Sequence, residues 1–180
     1  KGFETIRKNP YLLLEYYHYD PCDSWNLDES DYGIALYQID IALIPDPTYT
    51  DIEQLYDAFS PERIRALITE ILRKSAVFEG NSCLDREEIL KRINEYPLYY
   101  IRSPGLKMST YTLSNYEKTS IFKEKFIVIS KFRENKVLYQ LRELRKIEET
   151  IEDFIRKCSK KEYSVKDEII DEILEEEKEF

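Results

Sequence analysis

The sequence predicts a mainly α fold with a small β component, and three observations lead there. Apolar residues recur at helical spacing along Ile64, Leu67, Ile68, Ile71, Leu72 and Ala76, and again along Leu141, Leu144, Ile147, Ile151, Phe154, Ile155 and Cys158. Between these runs, Phe126-Ile127-Val128-Ile129 and Lys136-Val137-Leu138-Tyr139 have strand composition, with Arg133-Glu134-Asn135 as the turn between them. Apolar residues make up 42% of 180 residues, enough for a proper core, while 35% are charged. No apolar run approaches the roughly 18 residues that a spanning helix needs. No membrane partner is expected. Lys1-Gly2-Phe3-Glu4 leads into no apolar leader, and a cytoplasmic location is expected.

Taken in order, Asn9 and Pro10 suit the cap and first turn of a short helix through Leu12-Leu13-Leu14. Tyr16, Tyr17 and Tyr19 add an aromatic cluster. Residues 20–33 read as a loop. Residues 34–44 are apolar nearly all round and fit a buried helix, with a buried strand as the alternative. Pro45 and Pro47 end it. Asp51 to Phe59 reads as a short helix with Ile52, Leu55, Tyr56 and Phe59 on one face. The clearest helix runs from Pro61 to about Phe78, with Ser60 as N-cap and Gly80 as its C-terminal stop. A second helix starts at Asp85, with Glu88 completing a capping box and Ile89, Leu90 and Ile93 as its stripe. Pro97 stops it. Tyr99-Tyr100-Ile101 is a candidate short strand, and residues 103–120 read as loop or irregular strand. After the hairpin comes a long helix to about Cys158, then a last helix from Ser164.

The helix–turn–helix–hairpin order over residues 60–139 matches a winged-helix-like unit. An acidic, Tyr-rich helical region (1–59) precedes it, and C-terminal helices (140–180) follow. In DNA-binding examples of this layout the second helix enters the major groove. Here that helix reads Arg86-Glu87-Glu88-Ile89-Leu90-Lys91-Arg92, and its two leading acids would face phosphates. That favours a packing role for this helix over groove insertion.

The net charge of −9 hides a strong segregation. No Lys or Arg occurs from Asn9 to Glu62. Residues 102–146 carry eleven bases and four acids, an excess of seven positive charges, whereas residues 147–180 carry an excess of seven negative ones. The basic middle is interleaved with Tyr111, Tyr116, Phe122, Phe126 and Phe132. Cations that displace counterions from phosphate, and rings that stack on bases, make this a candidate nucleic-acid face. Lys123, Lys125, Lys131, Arg133 and Lys136, around the expected wing, are the candidate contacts, and single-stranded DNA is the expected ligand.

Catalytic motifs are not found. The four glycines are isolated and no Gly-Lys-Thr or Gly-Lys-Ser follows, so no P-loop is present and no cofactor is expected. Asp40, Asp46, Asp51 and Glu53 are the nearest approach to a carboxylate cluster for Mg²⁺, without a supporting motif. His18, the single histidine, sits in a Tyr-rich stretch and reads as a packed ring. It stands four residues before Cys22, but two further metal ligands are lacking nearby. Three scattered cysteines do not form a disulfide framework.

Several short motifs occur in a suggestive order: Asn9-Pro10-Tyr11, Ser60-Pro61-Glu62-Arg63-Ile64-Arg65-Ala66-Leu67, then Glu79-Gly80-Asn81-Ser82-Cys83-Leu84 followed by Glu87-Glu88-Ile89-Leu90. Val137-Leu138-Tyr139 leads into a helix containing Glu148, and Asp167-Glu168-Ile169-Ile170-Asp171-Glu172-Ile173 closes the series. The order resembles the region before the motor in RecD-like (superfamily 1) DNA helicases, the exodeoxyribonuclease V alpha-subunit-like proteins. The resemblance implies a non-catalytic accessory region that guides DNA or docks the motor or a partner subunit, with ATP binding beyond Phe180. It departs where those proteins carry a Gly-rich helix–hairpin–helix: residues 31–42 hold one glycine and two acids here. Two other settings remain open. One is a stand-alone protein-interaction module that docks a basic partner through residues 11–57. The other is a winged-helix transcriptional regulator, dimeric through the helix over 141–158.

Overall fold

In the computed structural model, residues 2–16, 34–96, 107–123, 127–131 and 136–159 are described. The chain divides into two compact units, Lys1–Arg145 and Lys146–Phe180. The first is mainly helical with a small antiparallel sheet. Its described elements are α1 (Gly2–Lys8), α2 (Leu12–Tyr16), α3 (Leu36–Leu43), α4 (Pro61–Lys74), β1 (Cys83–Asp85), α5 (Arg86–Glu95), α6 (Thr110–Tyr116), α7 (Ser120–Lys123), β2 (Ile127–Lys131), β3 (Val137–Leu141) and the start of α8 (Arg142–Ser159). The three strands pair in the order β1-β3-β2, both pairs antiparallel. Leu84 faces Tyr139 across one pair, and Ile129 faces the same Tyr139 across the other.

Helix α4 is the centre of the core. Ile64, Ala66, Leu67 and Ile68 are fully buried, and Leu36, Ile44, Ile89, Leu113 and Tyr139 close around them. Two buried arginines on α4 tie it to the acidic N-terminal stretch. Arg63 Nε and Nη2 donate to both carboxylate oxygens of Asp40, at 2.8–3.1 Å, and Tyr11 OH donates to Asp40 Oδ1 at 3.0 Å. Arg65 makes a forked pair with Glu15 at 2.6 and 2.7 Å and donates to Ile121 O at 2.6 Å. Two planar forks on one helix give direction as well as charge balance. Arg73 extends the clamp to the carbonyls of Leu14 and Glu15.

Several expectations need correction. Residues 51–59 are not helical. Their side chains capture their own backbone instead: Ile52 N donates to Thr50 Oγ1 and Phe59 N to Asp57 Oδ1, the local competition that defeats helices in Thr- and Asp-rich stretches. Leu55 N and Tyr56 N both turn back to Leu43 O, leaving Ile52 and Leu55 exposed. Helix α3 is one-sided rather than buried all round: Leu36, Ile39 and Leu43 face inward, Tyr37 and Ile41 outward. Pro61 opens α4, but Ser60 does not cap it; the Ser60 hydroxyl is buried without a partner. The helix ends in a π turn over Ser75–Glu79, and Gly80 follows with φ 73°, the left-handed stop a glycine provides. Asp85 caps α5 by accepting from Glu88 N at 2.8 Å. The Glu88 carboxylate turns to Arg92 rather than back to the cap, so the box is half made. The stretch expected to be loop at 103–120 contains α6. The strand expected at 99–101, the hairpin turn at 133–135 and the helix from Ser164 lie outside the described residues.

In the second unit, the described residues are those of α8 from Lys146 onward. This stretch is amphipathic, with Glu152 and Arg156 paired at i,i+4 on its polar side. No residue of α8 is fully buried.

Candidate nucleic-acid interface

Helix α6 is short, and its sequence Thr-Tyr-Thr-Leu-Ser-Asn-Tyr gives it little intrinsic helix preference. Tertiary ties hold it at both ends. Ser109 caps it by accepting from Thr112 N at 3.1 Å. At its entrance the Asn94 amide makes a two-bond clamp on Met108, accepting from its N–H at 2.8 Å and donating to its carbonyl at 3.0 Å. Leu113 is its fully buried anchor. At its exit Tyr116 OH donates to Phe59 O at 2.5 Å. There Glu117 accepts a fork from Arg86 at 2.6 and 2.7 Å and a hydrogen bond from Tyr139 OH. Burial, and then the Glu117 bond, push the Tyr139 hydroxyl well above the usual phenol range, so it remains a donor at all physiological pH.

These ties fix what α6 turns outward. From Lys107 to Tyr116 there is no acid. Lys107, Thr110, Tyr111 and Lys118 are exposed, and Asn115 is half-buried. The outward residues are hydroxyls, an amide and a ring, flanked by two lysines. Neutral donors and acceptors of this type read base edges, and flanking cations meet phosphate. Helix α5 does not offer this, since Glu87 is exposed and Glu88 is occupied by Arg92.

The expected wing cluster is divided. Lys131 ends β2 and pairs in register with Val137, next to the exposed Lys136, so these two meet at one end of the hairpin. Lys123 ends α7, four residues before Ile127, which begins β2 at the opposite end from Lys131 and pairs with Leu141. Lys125 and Arg133 lie outside the described residues. Of the aromatics expected to stack on bases, Tyr111 is exposed, at 76%. Phe122 is core and Tyr116 is held by Phe59, while Phe126 and Phe132 lie outside the described residues. Helix α6 is not legible in the sequence, because a Ser/Thr/Tyr-rich stretch reads as loop. Its signal in the sequence is Ser109 as a cap, followed by Leu113 as a single buried anchor.

Among the described residues no group of three or more His, Cys, Asp or Glu is placed to hold a metal ion. His18 and Cys22 lie outside them. No described helix is long and apolar enough to cross a membrane. No family model, curated protein or solved structure matches the chain.

Three of the motifs behind the helicase resemblance have structural employment, and the one at 167–173 lies outside the described residues. Asn9 Oδ1 accepts from Tyr11 N, which sends Tyr11 inward to Asp40. Arg63 and Arg65 serve the buried pairs, and Glu79 and Asn81 close the end of the α4 π turn through Ser75.

Proposed function

We propose that residues 61–141 form a winged-helix module that binds DNA, with α6 in the groove and the β2–β3 hairpin as the wing. The element order α4-β1-α5-α6-α7-β2-β3 and the strand order β1-β3-β2 support this reading. The observation that carries it is α6: a polar, acid-free helix clamped at both ends and flanked by Lys107 and Lys118. A preformed helix of this kind suits duplex DNA better than a single strand, whose recognition rests on stacked rings. The module contributes binding and no chemistry.

The test is fluorescence anisotropy on labelled duplex and single-stranded oligonucleotides over a range of salt. Reversing Lys123, Lys131 and Lys136 to Glu together is expected to weaken binding and to flatten its salt dependence by about two to three units of slope. Replacing Tyr111 and Asn115 by Ala is expected to weaken binding to preferred sequences more than to random duplex. Unchanged affinity and slope in the triple reversal would remove the DNA role.

In the setting implied by the helicase resemblance, this module would be an accessory region delivering DNA to an ATP-driven motor or docking a partner subunit. A second setting, a dimeric DNA-binding regulator, is favoured by a specific observation. Helix α8 leaves Ile147, Ile151, Phe154 and Ile155 exposed on one side.

A further inference from the structure

A cleft of about 510 Å³ opens between the end of α6, α7 and the hairpin. Its floor and wall are apolar: Phe122, Ile127, Val128, Ile129 and Val137. Three cations, one carboxylate and a hydroxyl complete the lining: Arg86, Lys118, Arg142, Glu117 and Ser114. Arg86 and Glu117 neutralise one another through their fork. Among the described residues the other two cations have no carboxylate partner. Lys118 Nζ has a single long bond, to Asn115 Oδ1 at 3.4 Å, among the described residues. Arg142 is half-buried, and its Nε is buried with no hydrogen-bond partner.

We infer that this cleft binds a small carboxylic acid with an apolar body, its carboxylate taken by Arg142 and Lys118 and its chain or ring laid on Ile129 and Val137, which share one face of the sheet. The volume lies within the range of small-molecule sites, which are mostly apolar with a few placed polar groups. A forked contact through its two terminal nitrogens would pair the Arg142 charge, while its Nε, which has no exposed surface, takes no part. A phosphodiester backbone would meet the cations but leave the apolar wall uncovered, so a nucleic acid is the poorer occupant. The inference does not rest on the DNA-binding reading; it stands or falls in protein that binds no DNA at all.

Isothermal titration of the full chain with octanoate, phenylacetate and octanol tests it. Octanoate or phenylacetate is expected to bind, with octanol about tenfold weaker or more. Arg142→Gln is expected to abolish the preference for octanoate over octanol. Ile151→Asp, on the exposed face of α8, is expected to leave that preference intact, which separates the cleft from adventitious binding to that face. If Arg142→Gln does not fold, carbon-13 octanoate in the unaltered protein supplies the second measurement, through cross-peaks from its chain to the Ile129 and Val137 methyls. Equal affinity for octanoate and octanol overturns the inference. So does the absence of binding by both acids, or cross-peaks to α8 alone.

Discussion

Asp40 shows how a single carboxylate can hold two segments of chain together. It is 1% exposed, and it accepts from both Tyr11 OH and the guanidinium of Arg63, itself 4% exposed. Taking away one partner of a buried pair strands the other charge, which costs about 3–5 kcal/mol. Asp40→Ala is expected to lower unfolding stability by that amount in urea titration, and Tyr11→Phe by about 1 kcal/mol. A loss under 1 kcal/mol for Asp40→Ala would mean that Arg63 finds water or another acceptor. Glu79 gives a pH signature of the opposite, exposed kind. Its hydrogen bonds from Arg92 and then Ser75 hold its carboxyl down at about 2, against an ordinary value of 4.5. A depressed folded pKa contributes stability above the unfolded value and loses it as pH falls toward the folded one. Glu79→Gln should therefore show a shallower fall in melting temperature than the unaltered protein between pH 4.5 and about 2. Parallel curves would show that the Arg92 bonds do not persist in solution. None of this residue-scale pairing is legible in the sequence. The stretch without Lys or Arg reads as an acidic surface open to a basic partner, but two of its acids are buried partners of arginines 23 and 50 residues away.

Elements were legible in proportion to their length and periodicity. Helices α4, α5 and α8 follow from apolar spacing, because each carries enough repeats to outweigh local chemistry, and the two hairpin strands follow from their β-branched and aromatic composition. The short elements do not. Strand β1 has three residues and is defined by its pairing with β3 rather than by composition. Helix α6 depends on ties from Asn94, Arg86 and Tyr139, which no window of sequence contains. The same reasoning predicts how α6 fails. Asn94→Ala would strand the Met108 N–H and carbonyl and is expected to cost about 1–3 kcal/mol. It should also weaken DNA binding more than stability alone explains, since α6 would lose its fixed angle. Gly80 is the contrasting case, where the backbone alone decides. Nothing lies within 4 Å of a Cβ added there, so Gly80→Ala meets no clash. It must still hold φ 73°, and a loss of about 1 kcal/mol is expected in thermal unfolding. No measurable loss would mean that the α4 π turn relaxes around a different stop.

At the scale of the whole molecule, α8 poses the question that its sequence could only half answer. The spacing of Ile147, Ile151, Phe154 and Cys158 alternates four, three and four, the repeat of a coiled-coil seam, and it correctly gives a long helix with an apolar side. Periodicity cannot say what that side faces. Ile147, Ile151, Phe154 and Ile155 are 53–66% exposed. Each such side chain gains about 1.5–3 kcal/mol when buried, so the face has several kcal/mol available to any surface that covers it. A second α8 carries the same seam at the same spacing, which makes a self-complementary pair of the regulator type. Sedimentation of the full chain is expected to show a dimer. Replacing Ile151 and Phe154 by Asp together is expected to give a monomer whose unit Lys1–Arg145 keeps its circular dichroism and melting transition, since neither residue belongs to its core. A dimer also engages twice as many phosphates as one copy, so the monomeric variant should lose about half of the salt slope of DNA binding. A chain that sediments as a monomer would remove the regulator setting, leaving the single module and its clamped α6 to account for any DNA affinity measured.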